Sequence, residues 1–223
     1  MSIDTLHAHT GLRSLKVQGS SGGAIGIAFG VEPLSADTVI PKLTFTIKNV
    51  DCGSQVLQDI RTNEKVLLPV FKPAPATRMV ISAWVKETGD TTLRSSYANN
   101  KIVVTDKTTA FTFYPSGPII EGWQRYEGVF TIGNNATELL VNLQSIGPNA
   151  AYFDDLRIHP FNANMKSFAF HPVNLRLMAE LDENNYATLY EYDDDGTLIR
   201  LKKETQRGIK TIKETRSALV KDN

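Results

Sequence analysis

The chain has 223 residues, with 24 basic and 24 acidic side chains and therefore no formal net charge. That length sets a prior of one or two domains, and the charge balance argues against electrostatic capture by nucleic acid or acidic lipid. A hydrophobic share of 41% is enough for a core, the single cysteine forms no internal disulfide, and no run approaches the roughly 20 apolar residues of a membrane span.

In chain order, Met1 to Arg13 has no basic start followed by an apolar run, so no signal peptide opens it. A secreted native protein would carry that signal upstream, and the chain is expected to be a fragment. His7 and His9 fall on one side of an extended segment, which suits a transition metal, but no other His or Cys is near and an exposed pair is the expected reading. Strands are predicted over Ser14–Gln18, Ala24–Phe29, Lys42–Lys48, Met79–Lys86, Lys101–Thr105, Arg125–Ile132, Glu138–Gln144 and Ala151–Ile158. Polar turn signals separate them, at 19–23, 88–90, 114–118, 133–135 and 147–149. The stretch Asp51–Pro75 reads as a strand pair or a long loop, with Cys52 as an inert thiol in a turn. Many short strands between polar turns predict a sandwich or barrel. Alternation predicts a core of Leu15, Val17, Ile81, Ala83, Val85, Val129 and Leu140, with Trp84 on the opposite face of its strand. After Pro160 a meander is predicted near Lys166–Phe170, Leu175–Glu180, Ala187–Tyr192, Thr197–Lys203 and Ile209–Thr215. It is expected to dock through Phe161, Phe168, Phe170 and Leu177, because a short meander buries no face alone.

Four segments carry a resemblance: HTGLRSLKV at 9–17, MVISAWVK at 79–86, GWQRYEGVFTI at 122–132 and AAYFDDLRIHP at 150–160. In this order they resemble the jelly-roll β-sandwich of bacterial carbohydrate-binding modules, over about residues 5 to 160. The first strand and aromatic-rich turn usual in that family are missing here. A second resemblance lies downstream. Residues 190–199 (YEYDDDGTLI), with a weaker copy at 168–177 (FAFHPVNLRL), look like the tyrosine–aspartate repeats in C-terminal regions of large Bacteroidota surface proteins. The expected architecture is all-β: a jelly-roll sandwich at 1–160 and a β-hairpin meander at 161–223.

The resemblance implies a non-catalytic module that binds polysaccharide or glycan in an extracellular or cell-surface bacterial protein, together with that protein's remaining domains. The alternative is a structural or assembly module with no sugar ligand. A sugar site needs an aromatic platform with planar hydrogen-bonding groups nearby. Trp84, Tyr97 and Tyr126 are the expected platforms, with Tyr114 a further candidate, and Arg78, Lys86 and Asn99 the expected polar partners. Trp84 equally fits packing under a loop, and Trp123 is expected in the core. In the resembling modules an acid of the last strand often ligates a structural calcium with the N-terminal segment. Carried over, the ligands are Asp155, or else Asp154, with Asp4 or backbone near His9 and Thr10. The competing reading pairs these acids with Arg13 or Arg157, or has them cap a turn. Asp193–Gly196 reads as a hairpin turn rather than a calcium loop. Glu121 and Glu127 do not make a glycosidase pair on sequence grounds, and no catalytic triad, phosphate loop or zinc spacing occurs.

Overall fold

The computed structural model describes residues 2–19, 23–30, 73–89 and 94–215, and for 23–30 the backbone path alone. The expected strand Lys42–Lys48, Cys52 and all but the last residues of the Asp51–Pro75 stretch lie outside the described residues. Within them the chain is all-β, in three antiparallel sheets.

Two sheets make a sandwich. The larger has the order β1-β2-β10-β4-β8-β7, where β1 is Ser2–Asp4, β2 Ser14–Val17, β4 Arg78–Glu87, β7 Ser116–Ile120, β8 Trp123–Thr131 and β10 Ala151–Pro160. The smaller has the order β3-β9-β5-β6, where β3 is Gly23–Gly30, β5 Asn100–Thr105, β6 Ala110–Phe113 and β9 Glu138–Ser145. From β4 to β5, β6 to β7, β8 to β9 and β9 to β10 the chain crosses between the two sheets, the wrapping expected of a jelly roll.

Period-two alternation builds the core. Met79, Ile81, Ala83 and Val85 of β4 are fully buried and face Ile102 and Val104 of β5 and Leu139, Val141 and Leu143 of β9. Val17, Tyr126, Phe130 and Phe153 complete this layer from the larger sheet. Two expected core positions were off by one residue. Val129 is 41% exposed while Phe130 is buried, and Leu140 is half-buried while Leu139 and Val141 are buried. Both lie in apolar runs where a slip of one residue exchanges the faces.

The third sheet has the order β11-β12-β13-β14-β15: Ser167–Phe170, Leu177–Leu181, Ala187–Tyr192, Leu198–Thr205 and Gly208–Glu214. It covers the outer face of the larger sandwich sheet. Trp84, Ile120, Trp123 and Tyr152 form a second buried cluster there, with Tyr186 and Ile209 packed onto it. The expected docking residues are a correction: Phe161, Phe168 and Phe170 are 48%, 53% and 55% exposed. The five-stranded sheet has apolar groups on both faces, and the face bearing Ala179, Leu181 and Ala187 is the one that is buried.

Candidate functional site

The densest polar constellation sits where the sandwich, the N-terminal segment and the third sheet meet. It starts from a fault in β10. The pairing of β10 with β4 shifts register between Asp154 and Arg157, and Asp155 has a φ of 48°. A bulge of this kind bends its strand and re-aims its side chains. Regular alternation would send adjacent acids to opposite faces. Here both meet the segment between β1 and β2. Asp154 Oδ2 accepts the backbone N–H groups of His9 at 2.7 Å and Thr10 at 3.3 Å, and its Oδ1 accepts that of Asp155 at 2.8 Å. Asp155 Oδ1 accepts the Thr10 hydroxyl at 2.6 Å.

His9 is the hub. Its Nδ1 lies 2.7 Å from Asp155 Oδ2 and its Nε2 lies 3.0 Å from Glu204 Oε1 of β14, with side-chain exposures of 5%, 10% and 1% for the three residues. The ring stacks on Trp84 at 4.3 Å and meets Trp123 edge-on at 5.5 Å. Burial alone would depress the imidazole pKa, but the hydrogen bonds to Asp155 and Glu204 and their negative charges outweigh it and raise it from 6.5 to about 9. His9 is therefore an imidazolium at neutral pH, donating from both nitrogens. Desolvation, followed by repulsion from Asp155, pushes the Asp154 carboxyl up to about 7. Glu204 Oε2 accepts the backbone N–H of Ala187, so both its oxygens are used.

Further bonds tie the third sheet to the sandwich. Trp84 Nε1 donates to the Asn185 carbonyl at 2.7 Å, and Asn185 Nδ2 donates to the Asp155 carbonyl at 3.0 Å. Arg157 Nη1 donates to the Asp182 carbonyl at 2.6 Å. Tyr186 meets Trp84 edge-on at 5.7 Å.

Beside this junction is a cleft of about 490 Å³ lined by His9, Lys86, Ile120, Trp123, Lys202 and Glu204 among others. The His9 ring and the Glu204 carboxylate in it are already paired. His9 has neither a free lone pair nor a free N–H, so it is not a base toward a ligand in the cleft. The imagined acid pair is dispersed in role: Glu127 pairs with Arg125 at 3.1 Å, and Glu121 is exposed in the turn before β8.

Calcium does not fit the acids. All four carboxylate oxygens of Asp154 and Asp155 accept N–H or O–H donors, and a cationic imidazole stands against Asp155 where a metal would have to approach. Asp4 is turned inward to its own loop, its Oδ1 accepting the backbone N–H groups of Leu6 and His7 and lying 3.0 Å from the His7 ring Nδ1. The expected link between the closing strand and the N-terminal segment exists, made by direct hydrogen bonds. Arg13 and Arg157, weighed as partners, form no ion pair with either acid among the described residues.

The expected sugar site is not assembled. A platform needs an open ring face, yet Trp84 and Tyr126 are both 0% exposed. Trp84 is sealed beneath the third sheet, and Tyr126 points into the sandwich core, where its hydroxyl donates to Asn100 Oδ1. Tyr97 is half-buried, packs on the core, and donates to the Gly122 carbonyl at 2.7 Å. Asn99 donates its backbone N–H to Glu87 Oε1 at 2.9 Å. The Arg78 guanidinium lies 3.8 Å from the centre of the Phe161 ring, and Lys86 reaches toward the Trp123 ring and the cleft. Tyr114 remains 55% exposed, and Trp123 is buried as expected, though on the outer face of its sheet. Glu204, Asn185 and Tyr186 were not singled out from the sequence. Asn185 and Tyr186 belong to a stretch that reads as an ordinary polar turn, and Glu204 to a lysine-rich strand.

No family model matches the chain. No curated protein matches it either. Among solved structures it is similar to one described as "Family 16 Carbohydrate Binding Module-2", at 13% identity and a TM-score of 0.37, over 70% of this chain and 83% of the other. A superposition this loose carries no argument about ligand or role.

Proposed function

We propose that this chain is a non-catalytic assembly module of an extracellular or cell-surface bacterial protein, a β-sandwich closed on its outer face by its own C-terminal sheet. The observation that supports it is the burial of Trp84. The aromatic face that a glycan would use is occupied by Asn185 and Tyr186, and His9 joins it to Glu204. The 161–223 segment then acts as a third layer, giving a rigid unit with its remaining edges available to the rest of a larger protein. The surface setting rests on the sequence motifs at 9–17, 79–86, 122–132, 150–160 and 190–199.

The chain has two tryptophans, Trp84 and Trp123, and both lie at this junction. Tryptophan emission therefore reports on it alone. The expected result is blue-shifted emission resistant to acrylamide, unchanged across a panel of glycans. Quenching as efficient as that of free indole would overturn the proposal. So would a Trp84→Phe variant that keeps its melting temperature but loses binding to an arrayed glycan.

A further inference from the structure

The outer face of the third sheet, turned away from the sandwich, is basic along its β14–β15 side. Lys203 and Lys210 stand directly opposite each other in that strand pair, and Lys213 stands opposite Leu201. All three lysines are exposed, and none forms an ion pair among the described residues. Like charges at directly opposed positions destabilise a strand pair unless something neutralises them. Ile212, at the bulge between these pairs, is 57% exposed and adds an apolar group.

One end of the same sheet carries the opposite chemistry. The turn between β11 and β12 adjoins the turn between β13 and β14, so closely that a Cβ on Gly196 would come within 2.0 Å of Arg176 Nη2. Val173 and Leu175 project from the first turn at 84% and 72% exposure, and Asp194 and Asp195 are exposed on the second. Neither aspartate forms an ion pair among the described residues. The first turn is built to hold its apolar groups outward. Its N–H groups are all consumed internally: that of His171 donates to the Arg176 carbonyl, those of Val173 and Asn174 to His171 Nδ1, that of Leu175 to the His171 carbonyl, and that of Arg176 to Asn174 Oδ1. Leu175 is kept at a φ of 57°, a conformation that a leucine rarely adopts.

Within one chain the two patches do not meet. Lys203 lies five residues along β14 from Leu198, beside the acidic turn, a separation of roughly 16 Å at the rise of a strand. We infer that a second copy of this chain is the partner. Val173, Leu175, Asp194 and Asp195 of one copy dock on Ile212 and the three lysines of the next. The aspartates neutralise the opposed lysines, and the two aliphatic side chains leave water against Ile212. The patches differ from each other, so the contact is heterologous. A dimer still offers one patch of each kind, and copies add in a row or close into a ring. This names the partner for the assembly role proposed above and rests on that reading.

The test is sedimentation velocity of the whole chain over a dilution series, at low salt and at high salt. The average mass should rise with concentration at low salt and return to that of one chain at high salt, where exposed charges are screened. Two variants separate the patches: Val173→Lys with Asp194→Lys spoils the tip, and Lys203→Ser with Lys210→Ser spoils the face. Each should keep its melting temperature, since all four positions are exposed, and each alone should associate about tenfold or more weakly than the natural chain. Mixed, they should form a one-to-one pair that grows no further, because one intact tip and one intact face remain. A natural chain that stays monomeric at every concentration, association that ignores salt, or a mixture that fails to pair would each overturn the inference. Tryptophan emission of the two variants reports on the junction separately, so a failed junction and a failed contact between copies are told apart.

Discussion

Replacing His9 with glutamine should flatten the alkaline limb of the protein's stability curve. The pKa of His9 is raised from 6.5 to about 9 by Asp155 and Glu204. A group whose folded pKa lies above its unfolded value stabilises fully below the unfolded value and loses that contribution as pH rises through the folded one. The window is thus 6.5 to about 9, and the contribution lost across it is about 3 kcal/mol. The groups facing the ring are Asp155 and Glu204 at its two nitrogens, Asp154 at its backbone, and the rings of Trp84 and Trp123. Deprotonation would leave two nearly buried carboxylates sharing a single N–H, a costly arrangement. Asp154 shifts in the same direction, but its contribution is lost as pH rises from 3.8 through about 7, so the two limbs separate. Urea denaturation across this range should show the wild-type protein weakening through about pH 9. The His9→Gln variant should start lower at neutral pH and stay level there. A wild-type curve level through pH 9, or an equally steep fall in His9→Gln, would refute the reasoning.

Trp84→Ala should cost about 3–5 kcal/mol in denaturant unfolding, because a fully buried ring and its bond to the Asn185 carbonyl are both removed. If the cost stays under about 1 kcal/mol, the third sheet is not docked in solution. Tyr126→Phe should cost about 1–3 kcal/mol, since Asn100 Oδ1 loses a buried donor and Asn100 is itself fully buried; a neutral substitution would mean water reaches that amide. Adding a chelator should leave the melting temperature unchanged, as all four oxygens of Asp154 and Asp155 are satisfied by protein donors; a drop on chelation, reversed by calcium, would contradict the assignment.

The sandwich was largely legible because the two polar residues of 79–86, Ser82 and Lys86, share a face and leave the other to the core, where Ile81, Ala83 and Val85 are all buried. The same rule failed at Leu139–Val141, where three apolar residues in a row permit either register and only the pairing with β3 and β5 decides. The rule also assigned Trp84 to a second face, correctly, but alternation does not say what covers that face. The site was half legible. Adjacent acids in a closing strand flagged Asp154 and Asp155, and the N-terminal partner region near His9 and Thr10 came from the resemblance to carbohydrate-binding modules rather than from any pattern in the residues. The positive φ at Asp155 breaks the alternation that the strand pattern implies, which is why both acids reach one segment. Glu204 was out of reach, because it lies 195 residues from His9 and no local pattern marks an acid in a lysine-rich strand as inward-facing.

The position of β10 has a consequence for biosynthesis. This strand lies between β2 and β4, so the larger sheet stays split until about residue 160 has left the ribosome. The outer aromatic cluster waits longer, for Tyr186, Glu204 and Ile209. At about 5–20 residues per second, the nascent chain carries an open sheet and bare indole rings for several seconds after β4 is made. During that interval the unpaired edges of β2 and β4 can recruit strands from neighbouring chains, so the yield of native protein depends on chaperone cover more than the stability of the finished fold would suggest.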